Sequence, residues 1–263
     1  MTRRAMLALA VMAPAGWARR SAAADLTREQ LAALLAEAEG RGAALGGRSL
    51  AGLDLSRLDL SRAVLDGADL SGATLYAAKL VDAKLRGARL IGAVLNLAWV
   101  MRADFTGADL TEASLQGLVT STGLETSPRE APIFAGANLT GARITARLGH
   151  ADLTGANLTR ARMGADMRNQ SMGLMRAELP SARLRGADLS GADLGRALLR
   201  FADLREARFA GANLTGAELV GANLTGADLR GAEIGSADFT GATLDRAVFD
   251  AVKGRESARG LPR

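Results

Sequence analysis

The sequence predicts an all-β solenoid, and three observations predict it. Alanine returns at every fifth residue, eleven times without a break from Ala63 to Ala113 and fifteen times from Ala177 to Ala247. A Leu, Ile or Phe stands two places after nearly all of them, as in Ala212-Asn213-Leu214. Glycine closes many units, for example at Gly67, Gly72, Gly107, Gly211, Gly226 and Gly241. A period of five matches neither the 3.6 of a helix nor the 2.0 of a strand, so it marks a repeat architecture.

Each unit follows from alternation. Residues two apart on an extended piece point to the same side, so the alanine and the bulky apolar residue face inward together. The residue between them (Asp, Asn, Arg, Glu or Lys in most units) faces out. The closing glycine tolerates the sharp turn that starts the next unit. An extended triplet plus a turn, repeated in one sense, winds the chain into a coil. Alanine keeps the shaft narrow while a column of leucines fills it. Each fully buried leucine contributes roughly 1.5–3 kcal/mol, opposed by the entropy of ordering its unit.

The units Ala68-Asp69-Leu70-Ser71-Gly72, Ala137-Asn138-Leu139-Thr140-Gly141 and Ala227-Asp228-Leu229-Arg230-Gly231 resemble the pentapeptide-repeat family, whose motif is A(D/N)LxX. The resemblance covers residues 43–251. It implies a right-handed quadrilateral β-helix with four units per circuit, so that residues twenty apart stack, preceded here by a short N-terminal capping α-helix.

The elements then read in order. Residues 1–24 look like a signal peptide: Thr2-Arg3-Arg4-Ala5-Met6-Leu7 is a basic start, an apolar stretch runs from Ala5 to Ala18, and Ala22-Ala23-Ala24 offers a small-residue cleavage site. Its start resembles the twin-arginine export motif, with Met6 and Ala8 as departures, so a twin-arginine or general secretory route to the periplasm or exterior is expected. The apolar stretch is short for a membrane span, and no stable membrane insertion is expected after cleavage. Residues 25–42 form the capping helix. Thr27-Arg28-Glu29-Gln30 reads as a capping box, and Leu31, Leu34, Leu35 and Ala38 fall on one face of a helix ending near Gly40.

Repeat centres then run in steps of five from Leu50 to Leu115, with Arg48, Leu53 and Leu58 replacing alanine in the first units. Terminal repeats are often atypical. Residues 118–133, with Ser127-Pro128 and Ala131-Pro132, read as a loop extruded from the shaft. The steps from Ile144 to Leu148 and from Met163 to Met167 are each one residue short. An unbroken register returns from Leu179 to Phe249. The reading is one continuous solenoid with a disturbed middle; its alternative is two rods hinged near 116–133. Residues 252–263 are expected to be a disordered basic tail.

Composition bounds the function. Aromatics are only 3% of a chain that is 48% hydrophobic, as a narrow shaft requires. Five of the six Phe occupy repeat centres, where they can stack. Cysteine is absent, which suits an oxidising compartment. The formal charge is +5, but four of the 33 basic residues and none of the 28 acidic ones precede Asp25. The remainder is close to neutral and mixed in sign, which argues against a nucleic-acid partner. Chemistry is equally sparse. His150 is the single histidine, and the serines have no neighbouring base. Neither a cofactor nor a metal is expected, and the chain reads as no enzyme. The Asn-Leu-Thr triplets at Asn138, Asn157, Asn213 and Asn223 match a glycosylation sequon, but the repeat itself generates them.

One candidate site remains. Twenty-residue stacking sets Tyr76 beside Asn96, Ala77 beside Leu97 and Val81 beside Met101. An outward apolar cluster of Val94, Leu97, Trp99 and Met101 results, flanked by Tyr76, Val81 and Ile91. Contiguous exposed apolar surface points to an interaction site, with Trp and Tyr as favoured anchors; the alternative is that the loop at 118–133 folds over the cluster. Leu198, Phe201 and Val220 form a smaller cluster of the same kind. The expected function is an exported, non-enzymatic scaffold that contacts an unidentified protein or a second copy of itself. The alternatives are a cytosolic DNA-mimicking binder of gyrase, as some members of the family are, and an accessory subunit of an enzyme complex.

Overall fold

A computed structural model describes residues 24–123, 127–165 and 175–262. Each turn of the chain lies on the one before, through parallel bridges between residues twenty apart, such as Asp69 with Arg89 and Arg89 with Asp109. Four such columns run along the coil, one per side of each circuit. Face one runs from Ala44 through Asp104 and Ile133 to Thr243. Face two runs from Ser49 through Asn138 to Val248, and face three from Asp54 through Arg143 to Lys253. Face four runs from Asp59 through Trp99, Glu178 and Leu198 to Arg259. Nine steps separate Ser49 from Val248, so at about 4.8 Å per step the rod is on the order of 43 Å long.

The hydrogen-bond ledger explains the unit. In the stretch Asp69–Ala73, Asp69 N donates to Arg48 O below, while Leu70 N and Gly72 N donate to Arg89 O and Ile91 O above. Ala73 N closes a turn onto Leu70 O at 3.0 Å. The remaining amide, Ser71 N, donates to the Asp69 side chain at 3.0 Å. The turn has a left-handed residue at its third position, Gly72 at φ 66, which makes it type II. The position is left-handed whatever occupies it: Arg57, Leu97, Arg160, Phe201 and Glu206 all have φ between 55 and 62.

Inside the shaft, the alanines and central leucines are buried from Ala63 to Phe239, most with no exposed surface. Phe105 and Phe134 stack at 4.8 Å between centroids and 7° between planes. That matches the spacing of neighbouring turns, although the two residues are not twenty apart.

Three columns pass both interruptions with their bridges intact, and face four lacks a bridge only between Val119 and Arg147. Bridges step by 29 residues from Asp104 to Ile133 and from Asp109 to Asn138, and strand β1 (Ser114–Gln116) pairs in parallel with β2 (Arg143–Thr145) in the same register. Val119 still bridges Trp99, and Thr120 is buried and donates its hydroxyl to Arg147 O at 2.7 Å. The excursion is therefore shorter than 118–133, beginning after Thr120 and ending before Ile133. The next bridges, Ile133 to Asp152 and Asn138 to Asn157, step by 19, reflecting the short step before Leu148. Those from Arg147 to Glu178 and from Arg162 to Asp193 step by 31. The second short step, to Met167, lies outside the described residues, as does the expected signal peptide up to Ala23.

At the N-terminal end, helix α1 (Arg28–Glu37) begins with Thr27 accepting from Gln30 N and Gln30 returning a bond to Thr27 N. Leu31 is fully buried in the core cluster, and Leu35 and Ala38 pack beside it. Leu34 does not join that stripe; it is exposed. It stands about 60° round the helix from Leu31, on the side away from Leu35, and so falls at the rim of the stripe.

The C-terminal segment departs from the expected disordered tail. Lys253 bridges Glu233 and Arg259 bridges Asp238, with a 3₁₀ turn, Arg255–Ser257, between them. Val252, Ala258 and Leu261 pack on the core, and the Arg255 guanidinium lies 5.6 Å from the Phe249 ring centroid. The backbone groups of the last full turn attract this segment despite its charge, because they offer unfilled ladder positions.

Candidate protein-contact surface

The site is built from the outward positions of two adjoining faces and the corner between them. Val94 is the central outward residue of its turn on face three, bridged to Thr74 and Ser114; Trp99 holds that place on face four, bridged to Lys79 and Val119. Leu97 and Tyr76 sit at the corner, on neighbouring turns. Leu97 takes the left-handed position at φ 59, and its side chain lies over Gly117, where any Cβ would come within 2.8 Å of Leu97 Cδ2. Gly117 thus makes room for an apolar knob.

Tyr76, Leu97 and Trp99 are 38%, 44% and 41% exposed. Val94 is half-buried beside them, and Ile91 and Val81 are half-buried at the two outer corners. Met101 does not belong to the exposed set, since it is only 4% exposed. The excursion after Thr120 returns across this corner, and Arg102 N donates to Glu130 O at 2.9 Å. The loop therefore covers the end of the cluster at Met101 and leaves Trp99 open.

Counting through the interruptions reveals a larger pattern. Among the described residues, eight large apolar side chains are exposed, and five of them (Tyr76, Leu97, Trp99, Met175 and Phe201) lie on face four or its two bounding corners. Phe201 is the most open at 65%, held at a left-handed turn with its ring over Gly221. The excursion after Thr120 leaves one edge of this face, and the chain re-enters at Met175 on the other. A cavity of about 290 Å³ opens at that second edge, lined in part by Gly117, Leu118, Thr145, Met175 and Arg176. Sequence reasoning placed Phe201 in a separate minor cluster and missed Met175. No periodic signal carries the register across insertions of unknown length.

Around the apolar residues, charges pair between turns. Lys79 meets Asp59 at 3.5 Å, Arg102 meets Asp82 at 2.5 Å, Arg147 meets Glu178 at 3.5 Å and Arg176 meets Glu218 at 3.6 Å. The Arg102 guanidinium holds the Asp82 carboxyl below the usual carboxylate range. Burial alone would raise Asp104, but the Thr106 hydroxyl and amide together with Arg86 outweigh it and leave its pKa lowered. His150 occupies another left-handed turn, its amide bonded to Pro180 O at 3.0 Å. Among the described residues no group of His, Asp and Glu could hold a metal ion, and no helix is long and apolar enough to cross a membrane.

No curated protein matches the chain in sequence. Among solved structures it is similar to HetL, a pentapeptide repeat protein involved in heterocyst differentiation regulation in the cyanobacterium Nostoc. Identity is 30% over 87% of this chain and 94% of that one, with a TM-score of 0.40. It is also similar to QnrB1, a plasmid-mediated fluoroquinolone resistance protein, at 19% identity over 80% and 90% of the two chains with a TM-score of 0.34. Rfr23 from the cyanobacterium Cyanothece matches at 27% identity over 43% and 90%, with a TM-score of 0.19. The family model for pentapeptide repeats matches in eight copies, over residues 41–75, 78–117, 133–169 and three overlapping stretches between 182 and 246. With the five-residue ladder on four faces, the family-model match identifies the chain as a member of the pentapeptide-repeat family.

Proposed function

We propose that this chain is an exported, non-enzymatic scaffold that contacts another protein through face four. The observation that carries the reading is the concentration of exposed apolar side chains on that one side. Rigid strands present them, and neighbouring charges are already paired within the chain, so an apolar partner surface meets little uncompensated charge. In the same reading the coil is right-handed, in keeping with the family, and α1 closes its N-terminal end where Leu31 enters the core. Residues 1–24 direct the chain out of the cytoplasm and are removed.

The gyrase-binding alternative lacks an acidic face to rest on. Each of the four columns carries both signs, as Lys84 with Asp104, Asp69 with Arg89, Asp54 with Arg143, and Lys79 with Asp238.

Two measurements test the proposal. Cell fractionation followed by N-terminal sequencing should recover the protein from the periplasm or medium with Asp25 as its first residue; a cytosolic chain starting at Met1 would refute export. Leu97→Ser with Trp99→Ser should leave the melting temperature nearly unchanged and abolish association. Unaltered complexes in that variant, or protection of gyrase in a supercoiling assay, would overturn the assignment of face four.

A further inference from the structure

We propose that a second copy of this chain docks on face four, antiparallel, about a two-fold axis crossing the face between Arg147 and Glu178. The inference rests on the contact-face reading and names its occupant. Face four has ten central outward positions from Asp59 to Arg259, five on each side of that axis. The turn carrying Val119 lies directly below the one carrying Arg147, since Gly117 N donates to Thr145 O and Thr120 to Arg147 O.

Reversing one copy against another sets the first position opposite the tenth, the second opposite the ninth, and so inward. Asp59 then meets Arg259, Lys79 meets Asp238 and Arg147 meets Glu178, each an opposite pair. Val119 meets Leu198, both apolar and half-buried in the single chain. Trp99 meets Glu218, whose carboxylate is held by Arg176 and by Arg200 Nε at 2.7 Å. The indole therefore faces guanidinium groups, a favourable contact in its own right. No position meets its own sign. A closed two-fold dimer requires this self-complementarity, with the same patch used by both copies.

Faces two and three fail the same operation. On face two it sets Asp69 against Asp228, Arg89 against Arg208 and Asp109 against Asp188. On face three Arg143 meets Arg162; face one escapes like charges, with Lys84 against Asp203 and Asp104 against Arg183, but sets Ile133 against Asp152 at its centre. A parallel pairing of face four would place every charge against itself. Charge thus rules out two faces and the parallel orientation, and of the remaining two it is face four that holds the exposed Trp99.

The absence of cysteine makes the test direct. Val119 and Leu198 are three turns apart, about 14 Å, beyond the reach of a disulfide within one chain or between equivalent positions of the dimer. Val119→Cys and Leu198→Cys chains, oxidised separately, should remain unlinked, and their mixture should yield a covalent dimer. Lys79→Glu and Asp238→Lys should each sediment as monomers, while mixing the two should restore the dimer, because both 79–238 contacts in that heterodimer are again opposite in sign. Circular dichroism checks that each variant is folded. The proposal is overturned if the unaltered protein sediments as a monomer across a dilution series extending to millimolar. It is equally overturned if the Val119→Cys chain alone becomes linked. If a monomeric protein still binds an unrelated partner in a Trp99-dependent way, self-docking falls while the contact-face reading stands.

Discussion

At the scale of the residue, five backbone amides per unit must be satisfied, and the ladder and turn take only four. In units that carry Asp or Asn, the fifth, on the residue after the centre, is met by that side chain two places before it. Thr111 N bonds Asp109 Oδ1 at 3.1 Å, Thr140 N bonds Asn138 Oδ1 at 3.2 Å and Thr225 N bonds Asn223 Oδ1 at 3.0 Å. The Asp/Asn preference of the motif therefore has a hydrogen-bonding basis, and the same role occupies the four asparagines of the sequon-like triplets. Asp109→Ala should destabilise the fold by about 1 kcal/mol, with Asp109→Asn close to neutral, as denaturant titration would register. Several of these carboxylates have lowered pKa values: Arg230 holds Asp228 down, and Arg205 holds Asp203 down. Because the folded pKa lies below the unfolded value, their contribution is fully present above about pH 4. It is lost as pH falls through the folded values. Melting temperatures measured across a pH series should stay level near neutrality and drop in the acid range.

At the scale of the element, α1 and the first turns of the coil depend on one another. A ten-residue helix is marginal alone, so its order comes from Leu31, whose side chain is fully buried. Leu31→Ala should cost about 2–5 kcal/mol if α1 unfolds with the rod. If the helix detaches by itself, hydrogen exchange should rise in residues 28–37 alone. The exposed Leu34 offers the control, since Leu34→Ala should change stability by under about 0.5 kcal/mol. The stacked Phe105 and Phe134 stitch the turns on either side of the first excursion. Phe134→Ala should cost about 3–5 kcal/mol, measured by the same denaturation.

At the scale of the whole molecule, three of the four columns carry bridges past both excursions, which speaks against the two-rod alternative. Face two alone carries bridges from Ser49 to Val248. Small-angle scattering should therefore give an elongated particle, with a rod core on the order of 43 Å and no hinge. The long dimension should change little on dimerisation if the copies pack side by side, while the cross-section should grow.

The chain by itself determined the unit and its repetition. A strict five-residue period, an inward alanine and leucine, and a turn glycine leave one way to bury the apolar positions, and those constraints are local. Thr27 and Gln30 likewise announced the start of α1. Which residues share a face across the excursions was decided only by tertiary structure. The bridge steps of 29, 19 and 31 residues set how far the coil has advanced when it resumes, and insertion length carries no periodic signal. The same contacts buried Met101, settled the C-terminal segment on the last turn, and brought Trp99, Met175 and Phe201 to one side of the rod. Each outcome depends on packing between turns far apart in sequence, which no five-residue pattern encodes.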